Sequence, residues 1–177
     1  MGTKNVKRLA IAALVFALVG VLAACAQAPS TAAPKPSGAG YANPDLLVTT
    51  EWLSQHLNDA NVRVVDTRKP DAYKSGHIVN AVNIDTTDLK GPMYDQSNPV
   101  KWTVLSKAQL ERLLSDAGIS KDTIVVAVDD ARGLWAARFF WTLEYYGHGN
   151  GKARVLDGGL KKWQAEKREL TTEGPTI

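Results

Sequence analysis

Uninterrupted apolar runs alternate along this chain with stretches in which apolar residues return every third or fourth position. The first pattern marks strands and the second amphipathic helices, so their alternation predicts an α/β fold. Val62-Arg63-Val64-Val65-Asp66, Ile124 to Val128 and Ala153 to Leu156 read as strands, with shorter ones at Leu46–Val48 and Ala81–Ile84. Helices are predicted from Glu51 to about Leu57, behind Thr50 as N-cap, and over a short stretch from Pro70 to Tyr73. Trp52, Leu53, His56 and Leu57 share one face of the first, which makes His56 a packed, hydrogen-bonded histidine rather than a ligand. Ser106-Lys107-Ala108-Gln109 has the form of a capping box, and Leu110, Leu113, Leu114 and Ala117 behind it make one stripe ending at Gly118. From Asp85 to Val100 no period holds, and Gly91-Pro92 and Asn98-Pro99 act as breakers.

The strongest local signal runs from Ile124 to His148. The continuous apolar run Ile124–Val128 reads as a strand buried on both faces. A short polar loop, Asp129-Asp130-Ala131-Arg132-Gly133, leads into an aromatic-rich helix from Leu134 to the stop at Gly147. Strand, tight loop and helix together set backbone N–H groups and a side chain at the carboxyl edge of a sheet, so candidate chemistry is assigned to this loop. In the helix only Arg138, Thr142 and Glu144 are clearly polar. The surplus surface of Trp135, Phe139, Phe140 and Trp141 is expected to meet either a companion domain or the irregular segment before Lys101.

Charge and length narrow the picture. The 177 residues favour one folded domain, and the net charge of +3 disappears once Lys4, Lys7 and Arg8 are set aside, leaving 18 basic against 18 acidic residues. No basic stripe remains, and no nucleic-acid partner is expected. No metal or cofactor motif is present in the sequence either.

Lys4, Lys7 and Arg8 precede an uncharged run from Leu9 to Ala24, a length that suits a signal-peptide core better than a membrane span. The run closes on Leu22-Ala23-Ala24-Cys25, which resembles the lipobox of bacterial lipoproteins. That resemblance implies cleavage before Cys25, lipidation of its thiol and anchoring of the chain to an extracytoplasmic membrane face. The alternative is an ordinary secretory signal cut after Ala26-Gln27-Ala28. Residues 1–25 are thus read as leader, and 26–45, mostly Ala, Pro, Ser and Gly, as a tether. Residues 46–170 form the folded domain, and 171–177 are linker-like. Cys25 is the only cysteine, so a domain that starts after it carries no thiol.

Two stretches carry a family resemblance. VVDTRKPDAYKSGHIVNAVNI resembles the rhodanese pattern of a strand ending in Asp-x-Arg, then Gly-His-Ile before the next strand, here Asp66, Arg68, Gly76 and His77. Leu-Asp-Gly-Gly followed by Trp, with Asp157, Gly158 and Gly159, resembles the end of such domains. The likeness covers about residues 47 to 170 and implies a mostly parallel central sheet with helices on both faces. Structural roles are assigned to Asp66, Arg68 and His77: a charge-assisted pair locking a turn, and an imidazole bonded to backbone carbonyls.

The resemblance also implies sulfur transfer, from thiosulfate or 3-mercaptopyruvate, through a persulfide on a cysteine placed right after the central strand. Asp129 occupies that place here. A carboxylate takes no sulfur from thiosulfate and repels the anionic donor, so no catalytic residue is expected in this chain. Two-domain sulfurtransferases of the family pair a catalytic C-terminal domain with an N-terminal one bearing Asp at this position. VDDARGLWAARFFWTLEYYGH resembles those N-terminal halves, so a second rhodanese domain is expected to pack on the aromatic helix. The other reading is a stand-alone, non-catalytic lipoprotein binding a partner or a small anion. A haloacid-dehalogenase phosphatase would show Asp-x-Asp, and Ala131 stands at the third position instead.

Overall fold

The computed structural model describes residues 43–148 and 151–175, so the leader, Cys25 and most of the tether lie outside the described residues. Five strands make one sheet: β1 (Leu47–Val48), β2 (Val62–Asp66), β3 (Val82–Asn83), β4 (Ile124–Val128) and β5 (Ala153–Leu156). The order is β1-β5-β4-β2-β3, and every pair is parallel. Five helices connect them: α1 (Thr50–His56), α2 (Pro70–Lys74), α3 (Lys107–Asp116), α4 (Leu134–Tyr145) and α5 (Gly159–Ala165).

Alternation along the strands builds the two layers of core, because successive side chains point to opposite faces. Val65, Val125, Ala127 and Ala153 pack with Leu110 and Leu114 of α3 and Ala136, Phe139 and Leu143 of α4. Val64, Val126, Val128 and Leu156 pack on the other face with Trp52 and Leu53 of α1 and Leu160 and Trp163 of α5. Helices therefore cover both faces, and of β4 only Ile124, at its start, is partly open to solvent.

The capping box forms as read, with Ser106 accepting from the Gln109 N–H and the Gln109 side chain reaching back to the Ser106 N–H. Elsewhere the boundaries shift. Thr49, not Thr50, caps α1, because its hydroxyl accepts from the Trp52 N–H and Thr50 is already helical. Leu46 belongs to a 3-10 turn, Pro44–Leu46, rather than to β1. Only Val82 and Asn83 of the predicted third strand pair with β2, and α4 ends at Tyr145, two residues before the Gly147 stop.

The irregular segment after β3 is packed rather than peripheral. Met93 and Tyr94 join the core beside Phe139, Arg138 lies over the Tyr94 ring at 5.5 Å, and the Tyr146 hydroxyl donates to the Leu105 carbonyl. One side of α4 is thereby covered, while Leu134, Trp141 and Tyr145 stay exposed along the other. Among the described residues no helix is long and apolar enough to cross a membrane.

Candidate functional site

All strands point the same way, so their carboxyl ends share one edge, where open α/β sheets gather their sites. β4 delivers Asp129 to that edge, 1% exposed. Four backbone N–H groups converge on its carboxylate. Ala131 and Gly133 donate to Oδ1 at 3.0 and 2.8 Å, and Trp135 and Ala136 donate to Oδ2 at 2.8 and 3.1 Å. Two of these donors come from the first turn of α4, where N–H groups have no partner within the helix and the dipole favours a negative group. The other two come from the loop. Arg132 and Gly133 both take left-handed conformations, φ 62° and 86°, which curl the chain so that its N–H groups face inward. Asp130 and Arg132 point their exposed side chains outward.

The loop is fixed from behind as well. The Leu160 N–H donates to the Asp129 carbonyl at 2.8 Å, and a Cβ on Gly159 would lie 2.7 Å from that same oxygen. Glycine at 159 is what lets α5 approach so closely. Thr67 secures the strand end, its N–H and its hydroxyl both donating to the Val128 carbonyl at 2.9 and 3.0 Å.

Asp66 closes the neighbouring strand β2 and is fully buried. The Arg68 guanidinium meets it through Nε at 3.0 and 3.1 Å and through Nη2 at 2.7 Å, and Nη2 continues to the Gly76 carbonyl at 2.7 Å. This is the charge-assisted pair expected from Asp-x-Arg. His77 is also sealed from solvent, with Nδ1 2.9 Å from the Tyr73 carbonyl and Nε2 2.9 Å from that of Glu173. The Tyr73 ring stacks on it at 3.7 Å, and burial, then the Asp66 carboxylate, push the Tyr73 phenol up from its ordinary value. Thr171 exchanges backbone hydrogen bonds with His77, so the segment read as linker begins as a short paired stretch.

Of the remaining candidates, Asp157 faces solvent, its Oδ2 3.4 Å from Lys162 Nζ, and Gly158 turns the chain into α5 at φ 78°. His56 lies stacked on Trp52 at 4.2 Å with Nδ1 2.7 Å from the Trp52 carbonyl, a packing role as read. The structure thus brings Asp66, Arg68, Asp129 and Gly159 to one edge, where the Asp157 side chain turns to solvent. Sequence reading placed backbone N–H groups at this edge but did not single out those of Trp135 and Ala136 or the backing by Leu160, since a backbone N–H leaves no residue-type signal. The Gly-Gly pair after β5 was the one trace of the close approach.

Comparison with known proteins identifies the family of this fold. The chain is 39% identical over 138 residues to the sulfur carrier protein TtuD of Thermus thermophilus, covering 77% of this chain and 46% of that protein. It is 35% identical over 150 residues to the putative thiosulfate sulfurtransferase SseA of Mycobacterium tuberculosis, covering 84% and 48%. The chain therefore spans about half the length of the curated relatives it matches. Among solved structures it resembles SseA from Escherichia coli, a 3-mercaptopyruvate sulfotransferase with the rhodanese fold, at TM-score 0.63 and 25% identity, over 74% of this chain and 52% of that one. The family model for the rhodanese-like domain matches residues 49–166, and the protein belongs to that family.

Proposed function

We propose that this chain is the non-catalytic rhodanese-like half of a sulfurtransferase held at an extracytoplasmic membrane face through lipidated Cys25. One observation carries the reading: the N–H cradle at the end of β4 is filled by the Asp129 carboxylate, which offers no sulfur nucleophile. Sulfane sulfur transfer needs a thiolate stabilised in such a cradle, and the only cysteine of the chain lies at the leader. The relatives' greater length supports a second domain as the seat of catalysis. The exposed stripe of Leu134, Trp141 and Tyr145, with Trp141 and Tyr145 stacked at 5.3 Å, supports α4 as the surface that domain covers. A small anion bound in the loop is the weaker alternative, because the four N–H groups already serve Asp129.

Thiocyanate formation from thiosulfate and cyanide tests the catalytic half of this reading. The 177-residue chain is expected to give only the background rate. Turnover above background that survives Cys25→Ser would refute it. The intact mass of the native protein, extracted from its own membranes with detergent, tests the rest. A mass larger by about one domain supports the two-domain assembly, and one that lacks added lipid removes the anchor.

A further inference from the structure

We infer that the tip formed by Leu89, Val100 and Trp102 dips into the lipid surface to which Cys25 would tie the chain, an inference that rests on the proposed anchor. The three residues are 40%, 66% and 62% exposed, on a segment apart from the α4 stripe. The segment that carries them folds back on itself: the Asp95 N–H donates to the Thr103 carbonyl at 2.9 Å, Tyr94 bridges Val104, and the Gln96 side chain reaches the Leu89 carbonyl at 3.3 Å.

Two features distinguish this tip from a loose loop that happens to carry apolar residues. Its turns are tied by side chains, with Asp95 accepting from the Ser97 N–H, Asn98 from the Val100 N–H, and Thr103 donating to the Val100 carbonyl. Little freedom is left to lose on contact. Trp102 also takes φ 67°, a region bulky side chains rarely enter, and its indole stacks on no ring among the described residues. The backbone thus holds a large amphipathic ring outward in an uncommon conformation, with no ring among the described residues to receive it.

The composition of the tip favours lipid over protein. An indole beside an aliphatic residue and lysines is the chemistry of the membrane–water interface, where the ring lies at headgroup level and lysine stems reach the phosphates. Lys90 and Lys101 flank the patch, both exposed, while the nearby carboxylates of Asp88 and Asp95 are engaged by N–H groups of their own turns. A tip this small would hold a membrane weakly by itself. From Cys25 to Asn43 the chain reaches at most about 65 Å when fully extended. Tethering makes the second contact intramolecular, so a weak one suffices.

The test uses the native lipidated chain in vesicles of phosphatidylcholine and phosphatidylglycerol, with and without bromine on the acyl chains. Trp141→Phe removes the other well-exposed indole, and Trp102→Phe is added to it for comparison. Brominated lipid is expected to quench the emission of the Trp141→Phe chain, and the quenching should vanish when Trp102 is also replaced. A chain that floats with the vesicles but shows the same emission in both variants overturns the inference and leaves the anchor standing. Emission from Trp102 that is shifted to the blue yet indifferent to bromine would place the tip against protein, and likewise overturns it. A chain that neither floats nor carries lipid overturns the anchor and this inference together.

Discussion

Asp66 and Asp129 end neighbouring parallel strands, one step apart in register, and both are sealed from water, yet they are satisfied by different means. Asp66 meets a guanidinium two residues on, an ion pair closed within one turn. Asp129 meets four backbone N–H groups and no cation. A buried carboxylate needs compensation in either case. The difference lies in what each arrangement can be asked to do. The ion pair is complete in itself and serves as a fastening for the turn that Gly76 closes. The N–H cradle is a general anion site, defined by the backbone, and the side chain placed in it decides whether it performs chemistry or only holds the loop.

The two compensations should fail differently. Arg68→Ala strands the Asp66 charge in the core and frees the Gly76 carbonyl, so a loss of about 3–5 kcal/mol is expected, read by urea unfolding. Asp129→Ala leaves orphaned N–H groups but no buried charge, and about 2–3 kcal/mol is expected. Formate should recover part of that stability in Asp129→Ala and none in Arg68→Ala. Equal recovery in both would show that the cradle is not the anion site described. Gly159→Ala drives a Cβ against the Asp129 carbonyl in a left-handed conformation, and about 1–2 kcal/mol is expected. Here thermal unfolding is the check, and an unchanged midpoint would mean that α5 does not press on the loop.

A third carboxylate, at the surface, marks the small end of the scale. Glu166 accepts from the Thr50 hydroxyl at 2.6 Å and from Arg168 Nε at 2.5 Å, and these hydrogen bonds, Thr50 first, hold its carboxyl below the ordinary 4.5. A group depressed in the folded state stabilises above its unfolded value, and the contribution is lost as pH falls through the folded one. Glu166→Gln should therefore lower stability slightly at neutral pH and flatten its fall below 4.5, so that the two chains converge in acid. Identical acid profiles for the two chains would remove this latch of α5 to α1 from the account.

The ends of the long elements were legible because their signals are local. β2, β4 and β5 fall where continuous or alternating apolar residues stop, and the Ser106–Gln109 box starts α3 at the residue it names. Short elements were less so. Thr49 and Thr50 are equally good caps by type, and only the backbone around Trp52 chose between them. β3 was read too long because Ala81 is apolar for the core and Ile84, also in the core, only closes the ladder through its N–H on the Asp66 carbonyl. Thr171 and Glu173 looked like linker since their bonds to His77 use backbone atoms far off in sequence.

At the site the same division holds. Residue types alone determined that a carboxylate stands after the central strand, that Arg68 can pair with Asp66, and that no thiol lies in the folded domain, because charge and nucleophilicity belong to side chains. Only the tertiary structure decided that Asp129 closes on four amides, that α5 backs the loop through Gly159, and that one side of α4 is covered while the other is bare. Those are properties of backbone direction and of which surfaces meet. A one-dimensional pattern carries neither, because N–H groups are common to all residues except proline and burial depends on partners distant in the chain.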